Sequence, residues 1–415
     1  MKFINNFFLL FVSYFALFSC SEDTKSTVAQ ITPSEGEWRM TLDLGEKILP
    51  FNFALSKVSG SWEMILKNAE EEILVDQIKQ VHDSLLIDLP IFESSFFLKI
   101  IDSTTLEGVW INYYKSKDYQ LPAKAEFGIK ERFKRDSTSD FASLAKRYKT
   151  VFAKETNAPF DAIALFEQNG NIVNGTFATE TGDYRYLEGI MEKNSLFLST
   201  FDGSHAYLFE AFIKNDTLFG KFWSGSHYEV SWIAVPDSIF ELRNPDSLTF
   251  IKPEYDQINF SLPDLKNAIV SLSDEKFKDK VIIVQLLGSW CPNCLDETKY
   301  LNTLYERYKT DGLEIVGLAF ERTKSKAKAI DNLQALIRRT NLNYTLLLGG
   351  ATRDESPEDV LPMLNHVMSF PTTIFIDKNK NVRKIHTGFY GPGTGDYYTQ
   401  FTKETEAFVE LLLKE

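Results

Sequence analysis

Apolar and polar positions along the chain follow three successive patterns. The first is a continuous apolar run, Phe7 to Phe18, of about a dozen residues, short of the roughly 20 that a spanning helix needs. The second runs from Glu37 to about Val235 as short alternating stretches such as Trp38–Leu44, Phe51–Leu55 and Ser84–Leu89. Each has strand length and ends in a polar or glycine-containing break, and no long stretch keeps a 3.6-residue period. The third begins near Phe260 and alternates strands with helices. Val281–Leu287 is apolar on both faces, as a covered central strand is. A helical pattern from Leu295 to Lys309 follows, then a second buried strand, Leu313–Phe320. Ala329–Thr340 reads as a helix with Leu333, Leu336 and Ile337 on one face. Beyond it, Tyr344–Leu348 reads as a strand and Asp359–Met368 as a helix capped near Ser356. Val382–His386 reads as an edge strand, Gly388 and Gly391–Gly395 as a flexible loop, and Phe401–Leu413 as the closing helix.

Within the second pattern three pairs of segments resemble each other. Leu49–Leu55 echoes Ala158–Leu165, Asp83–Asp88 echoes Lys193–Ser199, and Asp102–Trp110 echoes Lys214–Phe222. Their near-constant offset predicts two copies of a β-meander, closing as a barrel or a sandwich. The expected organisation is a signal at 1–19, a polar tether at 20–36 and β-rich halves at 37–129 and 147–235. A charged, exposed connection at 130–146 joins the halves, a Pro-rich linker spans 236–258, and an α/β domain occupies 259–415.

Composition narrows the function. The chain has 415 residues, 44% hydrophobic and 25% charged, with stock for two or three domains. A net charge of −13 with no basic stripe argues against nucleic-acid binding. His82, His205 and His227 have no metal-ligand spacing, and Trp223, Tyr228 and Trp232 are expected in the core. Only three cysteines occur, Cys20, Cys291 and Cys294, too few for a disulfide scaffold.

Cys20 closes the apolar run in Leu17-Phe18-Ser19-Cys20, which resembles the lipobox of bacterial lipoproteins. The resemblance implies cleavage before Cys20, its lipidation, and an anchor on a membrane facing the periplasm, with the outer membrane or surface open. Glu22-Asp23 loosely resembles the acidic export signals of Bacteroidetes lipoproteins.

Cys291 and Cys294 then remain as one isolated pair in Gly288-Ser289-Trp290-Cys291-Pro292-Asn293-Cys294, between a buried strand and a helix. Cys291 falls at the helix cap and Pro292 in the first turn, where its missing N–H costs nothing. The helix dipole and open N–H groups favour a thiolate at Cys291. Cys294, one turn on, can close a disulfide with it. A zinc half-site would need a second pair of ligands, which the sequence lacks.

Trp290-Cys291-Pro292-Asn293-Cys294 after a buried strand resembles thioredoxin. The surroundings resemble the membrane-tethered TlpA/ResA-like branch of the AhpC/TSA-related, thioredoxin-like superfamily. Glu297 fits that branch's acid three residues past the second Cys, although Thr298-Lys299 replaces its usual proline. Gly288 departs from the Thr or Ser that a peroxiredoxin carries at that position. Ser369-Phe370-Pro371-Thr372-Thr373 matches the family's cis-proline segment. The resemblance, which covers about Phe260 to Glu415, implies a C-terminal α/β thioredoxin fold; with the all-β duplicated region that precedes it, the chain reads as α+β and multi-domain. It implies Cys291 as nucleophile, Cys294 as resolving thiol and Glu321 as proton shuttle. Trp290, Pro292, Phe370 and Pro371 would dock substrate. It implies no cofactor beyond the Cys291–Cys294 disulfide, no metal, and protein disulfides as substrates with a membrane or periplasmic electron donor. The alternative is an envelope binding or assembly lipoprotein whose β region is the functional part, the dithiol being auxiliary.

Overall fold

The computed structural model describes residues 31–89, 92–116, 118–134, 140–323, 325–350 and 355–415. The apolar run, Cys20 and the start of the tether lie outside the described residues. Among the described residues no helix is long and apolar enough to cross a membrane.

The alternating segments form two nine-stranded antiparallel sheets. In the first, Gly36–Asp43 pairs on one side with Ile48–Val58 and on the other with Gln120–Phe127, so the ends of the meander meet. Its outermost strands, Glu71–Val75 and Gln77–Val81, are neighbours in sequence. The second sheet closes into a barrel. Arg147–Phe152 pairs with both Phe160–Asn169 and Tyr228–Pro236, and Phe160–Asn169 pairs onward with Ile172–Thr179. Alternation places one side chain in two inside, as in Trp38, Met40 and Leu42, all fully buried. The similar segments fall on Ile48–Val58 and Phe160–Asn169, on Ser84–Asp88 and Ser195–Phe201, and on Thr105–Asn112 and Thr217–Ser224. Phe201 from the second sheet stacks on Phe51 of the first, with ring centroids 4.4 Å apart, so the two cores are continuous there.

The C-terminal region is a five-stranded sheet with Val281–Leu287 at its centre. All seven residues of that strand are buried. Leu313–Phe320 and Thr345–Gly350 lie parallel on one side. On the other side Thr372–Ile376 pairs antiparallel with the central strand, and Val382–Thr387 pairs antiparallel with Thr372–Ile376. Helices α1 (Pro292–Tyr308), α2 (Lys326–Thr340), the single turn α3 (Pro357–Val360) and α4 (Asp396–Lys414) complete a thioredoxin-like fold.

Four expectations are corrected. The charged stretch Lys130–Asp136 is not all exposed: Arg132 is 4% exposed and donates to Ser199 O at 3.2 Å and Glu188 Oε2 at 3.2 Å. A charged run reads as solvated, but the seam between two sheets leaves acceptors that a guanidinium fork satisfies. The helix expected over Asp359–Met368 stops after one turn, although Ser356 and Asp359 form a reciprocal cap. Pro362 disfavours helical geometry at Leu361 and has no N–H to continue the ladder. The loop at Gly388–Gly395 is packed rather than free, with the Gly391 N–H bonded to Asp183. Tyr228 is 43% exposed, whereas Trp223 and Trp232 are buried as expected.

Candidate active site

The central strand ends at Leu287, and the chain turns through Gly288 to Cys291. A Cβ at Gly288 would lie 2.2 Å from the Trp290 indole nitrogen, so only glycine lets the tryptophan fold back over the turn. Gly288→Ala is expected to displace the indole and lower stability by about 1–3 kcal/mol. Tryptophan fluorescence during urea unfolding reads it; an unchanged midpoint would contradict it.

Cys291 caps α1, with its sulfur 3.1 Å from the Cys294 N–H, and Pro292 occupies the first turn. The two cysteines are joined in a disulfide, with Cα atoms 5.2 Å apart. Access differs between them: Cys291 is 6% exposed and lines a cavity, while Cys294 is 1% exposed and does not. An incoming sulfur therefore meets Cys291, at the positive end of α1, where a thiolate is favoured.

One wall of this site is aromatic. The Trp290 N–H donates to Phe320 O at 2.9 Å, and its ring meets Phe370 edge-on at 5.6 Å. The Arg322 guanidinium lies 3.5 Å from the indole centroid, a stacked cation. The Phe370–Pro371 peptide is cis, and Phe370 O lies 3.5 Å from Cys291 Sγ.

Two carboxylates are buried nearby. Glu321 accepts from the Ser289 N–H at 2.7 Å and from Ser289 Oγ at 2.6 Å, so it holds the turn two residues before Cys291. Burial raises its pKa, against the pull of the Ser289 bonds. Glu297 lies one turn beyond Cys294 on the same face of α1. It accepts from Thr373 Oγ1 at 2.7 Å and from Gln285 Nε2 at 2.8 Å. Burial pushes its pKa up to about 7, opposed by those two hydrogen bonds. Gln285 in turn accepts from the Tyr344 hydroxyl at 2.8 Å, which extends the polar network under the dithiol.

The other wall belongs to the β region. Arg185, with φ +59° and 6% exposed, sits between the strands Gly182–Asp183 and Leu187–Glu192. Its guanidinium donates to Pro292 O in the first turn of α1 at 3.0 Å. It also pairs with Asp296 of α1 and with Glu71 of the first sheet, and its Nε faces Asp202 at 3.6 Å. Asn293, between the cysteines, donates to Asp183 O at 3.2 Å. Burial raises the pKa of Asp183 to about 6, opposed by the N–H groups of Gly391 and Arg185. On the far side, Glu93 accepts from Asn332 of α2. Tyr114 is near enough to feel the Glu321 charge, though burial does more to raise its pKa.

Trp290, Cys291, Pro292 and Phe370 share the cavity lining, and Cys294, Pro371 and Glu321 lie behind them. The sequence read Glu297 only as a matching acid. Its position on the Cys291–Cys294 face and the polar Gln285 inside an apolar strand were the signals that could have found it. For Asp183 and Arg185 no local signal exists, because the partners that tie them to α1 are over 100 residues away.

Residues 255–385 match the AhpC/TSA family. Thiol-disulfide oxidoreductase ResA of Geobacillus kaustophilus is 32% identical over 130 residues, which are 31% of this chain and 66% of that protein. ResA of Bacillus subtilis is 29% identical over 133 residues, 32% of this chain and 66% of that protein. The chain thus spans just under two thirds of the length of these relatives. The solved thioredoxin-family thiol:disulfide interchange protein of Chlorobium tepidum covers 38% of this chain and 95% of its own. Its identity is 18% and its TM-score 0.29.

Proposed function

We propose, starting from a chain whose residues 255–385 carry the AhpC/TSA match, that it is a thiol–disulfide oxidoreductase that reduces protein disulfides through Cys291 and Cys294. The observation that carries this is the asymmetric pair at the start of α1, with Cys291 at a cavity and Cys294 behind it. In the reduced enzyme the Cys291 thiolate attacks a substrate disulfide. One substrate sulfur leaves as a thiolate and takes a proton, and a mixed disulfide forms. Cys294 then loses its proton, attacks Cys291 Sγ and releases the second substrate thiol. Two electrons and two protons pass to the substrate, and the oxidised pair is restored by a dithiol donor. The pair itself is the redox group, and no further cofactor enters the scheme.

Glu297 is the group we assign to the proton on Cys294, since it is buried one turn away with a pKa of about 7. Glu321 we read as acting on the turn through Ser289, from whose N–H and hydroxyl it accepts. Resolution is expected to quicken as pH rises through about 7, when the Glu297 carboxylate forms. Glu297→Gln should slow it about 10²-fold and erase that inflection. Stability carries the same signature. The folded pKa lies above the ordinary 4.5, so the native state holds the extra proton and stability falls as pH rises from 4.5 to about 7. Glu297→Gln should remove that slope. Stopped-flow kinetics across pH 5–9 check the first, and urea titrations the second. An unaltered pH profile in the variant would remove Glu297 from the scheme.

For location we read an envelope protein held to a membrane through Cys20, resting on the apolar run and Leu17-Phe18-Ser19-Cys20. The two β halves we read as copies, since the similar segments occupy corresponding places in the two strand orders. The alternative in which the dithiol is auxiliary is not favoured, because the β region is itself a wall of the dithiol cavity. Insulin reduction by the full chain, with dithiothreitol as donor, tests the proposal. Turnover above the donor alone is expected, and none would refute it.

A further inference from the structure

We infer that the mouth of the second barrel is the substrate-reading half of the site, and that it receives an extended, cysteine-bearing polypeptide segment with an apolar side chain beside its cysteine. This rests on the oxidoreductase reading and adds the substrate class.

A cavity of about 880 Å³ separates Trp290, Cys291 and Phe370 from Phe160, Tyr184 and Tyr207. The last three are half-buried members of the barrel's aromatic packing. Phe160 stacks on Phe152 at 5.0 Å, and Tyr184 meets Tyr207 edge-on at 5.4 Å. The barrel end therefore offers apolar surface directly across from the reactive sulfur, and barrel mouths are common places for ligands.

Beside the cavity the same region seals the flank of the dithiol. A Cβ at Gly182 would lie 2.2 Å from the Asn293 amide, and one at Gly388 would lie 2.9 Å from the Thr181 carbonyl carbon. Both backbones are thus in contact with no room between them. Gly388 donates its N–H to Pro371 O at 2.9 Å, so the turn around Thr181 covers the approach past the cis-proline segment from that side. What remains is entry through the cavity, with Cys291 only 6% exposed at its base. A flat folded surface does not reach that sulfur; a segment that inserts does. The rim carries both signs, Lys115 and Arg322 against Asp161 and Glu180, so net charge gives no preference for a small anionic disulfide. The aromatic wall rewards apolar contact instead, and a single methylene in such a pocket is worth a discrimination of about 10- to 200-fold.

The test uses the protein kept reduced by dithiothreitol, with the rate of the donor alone subtracted. Substrates are cysteine peptides carried as mixed disulfides with thionitrobenzoate, with Phe or Ser next to the cysteine, and glutathione disulfide for comparison. We expect kcat/KM about tenfold higher for the Phe peptide than for the Ser peptide. Phe160→Ala and Tyr207→Ala should bring that ratio towards one. Should either fail to fold, Thr181→Trp, at an exposed position on the cavity edge, fills the same space from outside. It should lower kcat/KM for the Phe peptide at least about fivefold more than for glutathione disulfide. A wild-type ratio near one, or a ratio unchanged in the variants, overturns the inference while leaving the oxidoreductase reading intact. No turnover of any disulfide by the wild type overturns both.

Discussion

Cys291→Ser is expected to abolish reduction of protein disulfides, a loss of at least about 10³-fold, because a serine hydroxyl in place of the thiolate has neither its charge at neutral pH nor its sulfur nucleophilicity. Cys294→Ser is expected to lose turnover as well, but at a different step. The attack by Cys291 still occurs, and with no second thiol behind it the enzyme remains joined to its substrate. The difference follows from geometry. Cys291 lines the cavity and stands at the helix cap, while Cys294 is 1% exposed and reaches only Cys291. Insulin turnover measures the loss in both variants. Non-reducing electrophoresis with a disulfide-bearing protein separates them: an adduct from Cys294→Ser and none from Cys291→Ser. Equal adducts from both would contradict the assignment of roles.

The second large effect is expected at Arg185. Its guanidinium serves Glu71, Asp202 and Asp296 together with Pro292 O, and it is 6% exposed. Arg185→Met leaves three poorly hydrated carboxylates without their common counter-ion. Removing one partner of a buried ion pair costs about 3–5 kcal/mol, because the stranded charge is what is expensive. The damage should be concentrated where the β region meets α1, so the first turn of that helix loosens. Arg185→Lys should recover only part of the loss, since an ammonium cannot present the planar fork that reaches carbonyl and carboxylate together. Denaturant unfolding measures the stability. Titration of the Cys291 thiolate by its ultraviolet absorbance should show its pKa raised in Arg185→Met. A variant as stable as the parent, with an unmoved thiol, would mean that this contact does not organise the site.

Much of the architecture was readable from short-range patterns. Period-two alternation locates strands such as Gly36–Asp43, and a fully apolar run locates the central strand, because both record which faces are covered. The dithiol was readable because its chemistry needs a strand end, a helix start and three-residue spacing, all within one stretch of sequence. What was not readable depends on distant partners. Arg132 and Arg185 look like solvated charges until strands far along the chain bring acceptors to them. The packing of Gly391 on Asp183 spans 208 positions, so a glycine-rich stretch that reads as mobile is instead fastened. The expected helix at Asp359–Met368 failed for a local reason: its cap near Ser356 is present, but Pro362 lies within the span, and the backbone obeyed the proline. Glu297 lay between these cases. Its place on the helix was visible, but the burial that raises its pKa to about 7, against the pull of the Gln285 and Thr373 hydrogen bonds, came from the distant strands packed around it.

The direction of electron flow is the centre of this account, and the reduction potential of the Cys291–Cys294 pair in the full chain, equilibrated against glutathione, measures it most directly. A value near the roughly −270 mV of thioredoxin is the predicted result, that of a reductant of protein disulfides. A value near the roughly −120 mV of DsbA would make the pair an oxidant and contradict it.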